Sequence, residues 1–305
     1  DLFKVPARLT GAVRKAGEVL KRRQADVVVG FGGYVSLPAY LAAKRAKIPV
    51  VIHEQNAVPG LANKIAARFA VFVGTAFPDT PLPKAQFVGM PLRAQITDLA
   101  DAREETRAER RARARADLGL DAYRPTLLVS GGSQGAVAIN EAVIVARERL
   151  LADGVQILHV LGPKNIQGAT AVTDESTGAS WLPVGYVDDM ASAYAAADLM
   201  MARSGAGTVV ETATVGLPTI YVPLPHGNGE QARNATLAVD AGAGVVVANA
   251  DLDAERLLAE TSRIHDTDAL ARMSAAGRGL MPAHAAEEMA VRVILAARSI
   301  GPTTV

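Results

Sequence analysis

Residues 203–211, RSGAGTVVE, join a small-residue turn to a carboxylate. An apolar run, ADLMMA, ends in Arg203-Ser204-Gly205; a helical stretch follows, with Glu211 in its first turns. Glycine lets a ligand approach the backbone closely. The helix behind it presents unpaired N–H groups and about half a positive charge, so the turn suits phosphate without a side-chain cation. An acid on that helix lies beside the ribose attached to such a phosphate, and its oxygens accept from the vicinal 2′- and 3′-hydroxyls. Alone, Glu211 also reads as an N-terminal helix acid that favours the dipole. After a second apolar run, TIYVP, comes a loop with His226, Asn228, Glu230, Gln231 and Asn234. Glu230 and Gln231 offer acceptors and donors to sugar hydroxyls. Together these residues describe a nucleotide-sugar: base and ribose beside Glu211, diphosphate on glycine turns, hexose near Glu230 and Gln231.

Two more strand ends carry such turns, Gly30-Phe31-Gly32-Gly33-Tyr34 and Ser130-Gly131-Gly132-Ser133-Gln134-Gly135. One glycine turn is weak evidence of a ligand, since many α/β folds use one merely to turn; three with polar flanks are stronger. The dinucleotide fingerprint needs GxGxxG and an acid ~20 residues on. Residues 205–210, GAGTVV, lack the third glycine, and Glu211 comes too early. The GxxxxGK[ST] pattern is absent. The phosphate ligand is therefore expected to be neither NAD nor ATP on a P-loop.

Composition narrows the classes further. At 305 residues the chain is long enough for one large or two medium domains. A net charge of +1 and 4% aromatics give no signature of nucleic-acid binding. The absence of cysteine excludes disulfides, thiolate metal sites and cysteine nucleophiles, and the five histidines lack ligand-like spacing. No metal and no cofactor is expected. No apolar run reaches the ~18 residues of a membrane span. The chain opens on Asp1, without a signal peptide, in a basic amphipathic stretch. It is expected to be a fragment or processed chain.

The elements that must position these residues alternate along the chain. ADVVVGFGG, IPVVIHEQN and VFVGTAF read as strands, with helical stretches between them, and QFVGMPLR closes a first block. Residues 94–124, rich in Arg, Ala and Glu, read as an exposed helix with a solvated face. A second block opens with PTLLVSGGSQGAVAIN and continues through VQILHVLG, SWLPVGYVDDM, LPTIYVP and GAGVVVA. Continuous Val/Ile/Leu runs separated by helices indicate parallel strands covered on both faces. The expected fold is α/β, two Rossmann-like doubly wound domains facing a cleft, the first incomplete at its N-terminus. The expected division is 1–92 plus about 286–305, against 93–285.

The stretches DVVVGFGGYVSLPAYLAA, PVVIHEQNAVPGLANK, VGMPLR, LLVSGGSQGAVAIN, GYVDDMASAYAAADLMMARSGAGTVVE and EQARNA run in order from about residue 26 to 235. In them the chain resembles the MurG-type glycosyltransferase family, the undecaprenyldiphospho-muramoylpentapeptide β-N-acetylglucosaminyltransferases. The resemblance implies the GT-B fold and inverting transfer of GlcNAc from UDP-GlcNAc to the muramoyl 4-hydroxyl of lipid I, giving lipid II. It places Asn56 near the sugar and acceptor, Arg93 near the nucleotide, Ser133 on the diphosphate and Val187 at the uracil edge. Ala206, Gly207, Thr208, Val209, Val210 and Glu211 form the turn and ribose clamp, and Glu230 and Gln231 meet the sugar. His53, Glu54, Tyr34 and Asn140 match positions tied to activity or acceptor binding, with Glu54 and His53 as candidate bases.

Two departures matter. The family loop often has Gln-Gln where this chain has Glu230-Gln231, and a carboxylate cannot donate. The family's opening GGTxGH turn, with its favoured base histidine, has no counterpart before residue 26. On that reading the chain alone is expected to be weak or inactive. Other readings are another GT-B lipid glycosyltransferase, a UDP-GlcNAc 2-epimerase, or a non-catalytic UDP-sugar-binding fragment.

A lipid-linked acceptor implies a membrane surface. Residues 1–25 carry Lys4, Arg8, Arg14, Lys15, Lys21, Arg22 and Arg23 against Asp1 and Glu18, with Leu2, Phe3, Leu9 and Val13 interleaved. Basic residues near anionic lipid gain about 1 kcal/mol each. Peripheral attachment to an anionic membrane at its cytoplasmic face is expected; an ordinary surface helix is the plainer reading.

Overall fold

The structure, a computed structural model, describes residues 5–132, 135–225, 228–282 and 284–299, and only the backbone at 5–7, 104 and 105. The chain divides into two compact units, Asp1–Pro91 with Pro282–Val305, and Leu92–Met281.

The first unit begins α1 (Val5–Arg22), β1 (Val28–Gly30), α2 (Ser36–Arg45), β2 (Val50–Glu54), α3 (Leu61–Ala66), β3 (Phe72–Thr75) and β4 (Ala85–Phe87). Its four strands lie in chain order and pair parallel. Strand β2, VVIHE, is buried at every position, the mark of a strand covered on both faces. Successive side chains point to opposite faces. Val50 and Ile52 pack with Tyr40, Ala43 and Ala66 of α2 and α3, while Val51 packs on the other face with Phe72 and Val88.

The second unit runs α4 (Ala94–Ala100), α5 (Glu104–Asp117), β5 (Thr126–Ser130), α6 (Val137–Ala152), β6 (Gln156–Val160), β7 (Val172–Thr173), β8 (Ser180–Val184) and α7 (Met190–Ala196). It continues β9 (Leu199–Ala202), α8 (Ala206–Val215), β10 (Thr219–Tyr221), α9 (Glu230–Asp240), β11 (Gly244–Val246), α10 (Ala254–Thr261) and α11 (Thr267–Gly277). The sheet order is β11-β10-β9-β5-β6-β8-β7. Leu127 and Val129 of β5 face one core with Ile139 and Val143 of α6; Leu128 faces the other with Ile96 and Tyr194. Every pairing is parallel except β7 with β8. That antiparallel edge, beyond what the apolar runs predict, folds back through a turn in which Asp174 Oδ1 accepts from the Ser176 and Thr177 amides.

The last helix, α12 (Ala285–Arg298), belongs to the first unit. Met289 and Ala296 fill the second face of that sheet beside Phe72 and Val88, and Arg292 lies over the Phe72 ring at 4.9 Å.

The arginine-rich segment is solvated along most of α5, but not at every arginine. It forms two helices, and Arg115 of α5 is only 3% exposed. Its Nε donates to Ala196 O at 2.8 Å, and its Nη2 to Asp198 Oδ2 at 2.6 Å. Arg111 Nη1 pairs with Asp198 Oδ1 at 3.1 Å, and Arg107 donates to the carbonyls of Ala100 and Ala102. Cations belong at helix C-termini, where carbonyls lack helical partners. Charge count alone did not reveal those distant carbonyls.

Parallel pairing puts the loops after β1 and β2 at one edge of the first sheet, and the turns after β5, β9 and β10 at one edge of the second. In the second sheet the chain moves outward from β5 through β6 on one side and from β9 through β10 on the other. The carboxyl ends of β5 and β9 are therefore its topological switch point, where α/β sheets bind ligands.

Candidate functional site: the strand-end turns

At the switch point Ser130 and Ala202 are register partners, and the two glycine turns leave from them. Gly132 and Gly135 hold φ of 81° and 75°. A Cβ at Gly131 would overlap the Ala136 backbone nitrogen, and one at Gly135 would lie 2.5 Å from Leu161 O. The fold's own close approach requires glycine at 131 and 135, and the positive φ requires it at 132. Ser133, placed on the diphosphate by motif, lies outside the described residues.

Gly205 differs. Its φ of −60° is ordinary, and at both Gly205 and Gly207 a Cβ would meet nothing within 4 Å. Gly205 holds the N-cap position of α8 with no side-chain cap. The first turn of α8 therefore has backbone donors without a side-chain cap and space beside both glycines, an arrangement that suits an anion. Ala206 is 9% exposed, with Gly207 and Thr208 partly exposed beside it. Val209 and Val210 are 0% and 1% exposed, so their side chains face the core.

One turn further along α8 stands Glu211. Its Oε2 accepts from Tyr194 Oη at 2.7 Å, and its Oε1 lies 3.6 Å from Arg93 Nη2. Its side chain is 17% exposed and that of Arg93 is 53% exposed. Burial, then the neighbouring Glu211 charge, raises the Tyr194 pKa well above the usual phenol range, so Tyr194 is a neutral donor. Arg93 precedes α4 at its N-cap. Asp189 caps α7 through the Ser192 amide, and the Ser192 hydroxyl and amide lower its pKa. Val187 lies between β8 and α7, partly buried against the core. Tyr194 and Asp189 lie within a motif stretch that assigns them no role; an aromatic in a small-residue helix, MASAYAA, reads as core.

The loop after β10 is tied to the turn after β9. Arg203 Nη1 donates to Val222 O and Pro223 O, both at 3.1 Å, and buried Asn234 Nδ2 donates to Ser204 O at 3.4 Å. Gln231 Oε1 accepts from the Leu224 amide at 2.9 Å. Glu230 opens α9, its amide donating to Asn228 Oδ1 at 3.3 Å. His226 lies outside the described residues. The structure thus brings the Glu211 helix and the Glu230-Gln231 helix to one sheet edge.

Asn140 sits below the first glycine turn, 5% exposed. Its Nδ2 donates to Leu161 O at 3.0 Å, and its Oδ1 meets His159 Nε2 at 3.1 Å. Trp181 Nε1 donates to His159 Nδ1 at 3.3 Å. Since indole can only donate, His159 is neutral with its proton on Nε2. Burial lowers its pKa to about 4.

In the first unit His53 and Glu54 end β2, 0% and 3% exposed. His53 Nε2 bonds Gly89 O at 2.7 Å, and burial lowers its pKa. Glu54 Oε1 accepts from the Asn56 amide at 3.0 Å; its Oε2 accepts from the Gly60 amide at 3.1 Å and Asn63 Nδ2 at 2.9 Å. Tyr40 Oη donates to Asn63 Oδ1 at 3.0 Å and receives the Gly32 amide at 3.2 Å. Tyr34, on the same edge, is 89% exposed.

Comparison with known proteins now decides the family. The model of the glycosyltransferase family 28 C-terminal domain matches residues 126–289, and that of the N-terminal domain residues 1–75. The chain belongs to glycosyltransferase family 28. Within this family it is 90% identical over 303 residues to a Cutibacterium acnes UDP-N-acetylglucosamine--N-acetylmuramyl-(pentapeptide) pyrophosphoryl-undecaprenol N-acetylglucosamine transferase, covering 99% of this chain and 82% of that one. A Nocardioides protein of the same name is 51% identical, covering 97% and 79%. Among solved structures, Acinetobacter baumannii MurG superposes with TM-score 0.78 at 30% identity, covering 95% and 79%. A Neisseria meningitidis UDP-GlcNAc 2-epimerase gives 0.64 at 14% identity, covering 94% and 81%, which shows a shared fold alone.

Proposed function

We propose that this family 28 chain is the MurG-type enzyme: it transfers GlcNAc from UDP-GlcNAc to lipid I, forming lipid II in peptidoglycan synthesis. The observation that carries this is its near-identity with the Cutibacterium acnes transferase, whose name states group and acceptor.

The geometry of the second unit supports a donor role for it. The open Gly205 and Gly207 backbone and the uncapped α8 N-terminus suit the diphosphate. Behind them Glu211 takes the ribose diol, with Arg93 closing on the nucleotide. Val187 supplies backbone groups to the uracil, and Gln231, fixed by Leu224, turns its amide nitrogen to the sugar. Preorganised N–H donors are typically worth ~3–4 kcal/mol each toward a departing diphosphate. In the first unit Tyr34 and Asn56 are offered to the acceptor. Glu54, both oxygens engaged by the 56–63 segment, holds that loop, and His53 anchors β2 to Gly89.

For the lipid-linked acceptor the basic helix α1 meets the anionic, cytoplasmic membrane face peripherally. Val13 is buried and Leu20 packs inward, leaving Arg14 and Lys15 outward; no described helix is long and apolar enough to cross a membrane. Lys4 lies outside the described residues. Charge reversal at Arg8, Arg14 and Lys15 should abolish binding to anionic vesicles, and unchanged binding would refute the membrane role.

Thermal-shift titration tests the donor site. UDP and UDP-GlcNAc at ~100 times their Kd should stabilise the chain by about 2.7 kcal/mol, with NAD silent. No response to any uridine diphosphate would overturn the donor assignment. Release of UDP with formation of a GlcNAc-bearing lipid I product distinguishes transfer from epimerisation.

A further inference from the structure

We infer that Tyr194 is a positioning residue for donor recognition: through its hydroxyl it fixes the Glu211 carboxylate in the one orientation that reads a ribose diol. This rests on the proposed ribose role of Glu211.

The carboxylate has two unlike sides. On one, Tyr194 Oη donates to Oε2 at 2.7 Å from a ring that is 5% exposed. On the other, Oε1 faces the guanidinium of half-exposed Arg93 at 3.6 Å, beyond a direct hydrogen bond. Glutamate has three side-chain torsions, and a single helix position allows several rotamers. A charge-assisted bond to a buried phenol selects among them, and leaves the second oxygen for an incoming donor.

The tyrosine is itself held at both ends of its helix. Asp189 Oδ1 accepts from the Ser192 amide at the start of α7. Arg115 Nε donates to Ala196 O at 2.8 Å at its end, and Arg115 is clamped by Asp198. The aromatic ring packs in the core with Ile96, Leu99 and Leu217. The α7 helix has only seven residues, too short to stand without such anchors. The buried arginine of α5 thereby reaches the donor site through α7: Arg115 holds Ala196, Ala196 ends the helix of Tyr194, and Tyr194 holds Glu211.

A merely structural tyrosine would stabilise the unit without caring which sugar is bound. A positioning tyrosine acts on the difference between a ribose and a 2′-deoxyribose. The test is calorimetric binding of UDP and 2′-deoxy-UDP to the full chain and to its Tyr194→Phe and Glu211→Gln variants. Phenylalanine keeps the ring packing, and far-UV spectra with melting confirm the fold of each variant. The wild type should prefer UDP by about tenfold, the worth of one hydrogen bond to a charged group. Tyr194→Phe should weaken UDP by about tenfold and 2′-deoxy-UDP much less, so the preference collapses; in turnover KM for UDP-GlcNAc rises and kcat changes little. If Glu211→Gln abolishes the preference while Tyr194→Phe keeps it, the inference fails and the ribose role of Glu211 stands. If Glu211→Gln leaves the preference intact, the ribose role fails, and the inference with it.

Discussion

Glu54 and Glu211 stand near the carboxyl edges of two parallel sheets, both in motifs that bring them to mind for chemistry, and their surroundings are opposite. Glu54 is 3% exposed and receives three donors from its own loop and helix α3. Glu211 receives one hydroxyl, and its other oxygen faces a half-exposed guanidinium. The glycines divide the same way. Gly131 and Gly135 press against Ala136 and Leu161, whereas Gly205 and Gly207 border open space. The hydrogen bonds of Glu54 close within its own fold, whereas Glu211 is left partly open beside an α8 N-terminus without a side-chain cap.

The largest effect should come from the saturated side. Glu54→Ala takes away the acceptor shared by the Asn56 and Gly60 amides and Asn63 Nδ2, the last of which keeps His53 O at 3.3 Å, and should cost about 3 kcal/mol in urea unfolding. A loss below about 1 kcal/mol would mean that Glu54 is not the loop's clamp.

The buried relay below Asn140 gives a second closed case, readable by pH. His159 is held neutral, its pKa lowered from 6.5 to about 4 by burial. A group depressed on folding stabilises above its unfolded pKa and loses that contribution as pH falls through its folded one. Stability should decline from about pH 6.5 and level off near 4, by about 3 kcal/mol. His159→Gln should flatten much of that slope; His53, also lowered, contributes in the same direction. An unchanged slope would place the acid sensitivity elsewhere.

Glu211→Ala inverts the Glu54 result. Folding stability should fall by only about 1 kcal/mol, since one hydroxyl rather than three donors loses its acceptor. UDP affinity should fall by about 100-fold, as expected for two charge-assisted hydroxyl contacts. Equal stability losses for Glu54→Ala and Glu211→Ala would erase the contrast.

The smallest effect is Gly205→Ala, which leaves unfolding unchanged within about 0.5 kcal/mol and weakens UDP severalfold through crowding of the α8 N-terminus. Gly131→Ala, by contrast, should impair folding itself. A folding defect in Gly205→Ala would show that its space is not reserved for a ligand.

Much of the second unit was legible. The ADLMMA run, the small turn and Glu211 are contiguous, so their proximity needs no long-range information. Tyr194 was not legible, because its partner is seventeen residues away on another helix and its own segment looks like core. The burial of Arg115 was not legible for the same reason: what binds it is Asp198 and Ala196, more than eighty residues on. In the first unit HEQN lies at the carboxyl end of β2, and the stretch alone does not reveal that Glu54 accepts three hydrogen bonds from the 56–63 segment.

The sequence by itself determined the alternation of strands and helices, the parallel cores of the two sheets and the glycine-rich strand ends. Those follow from apolar runs and from backbone preferences, which act over a few residues. Tertiary structure decided which carboxylate stays open, which glycines the fold consumes and which arginine is buried. Each depends on solvent access and on donors brought together across the sheet, and neither is written in any single stretch of chain.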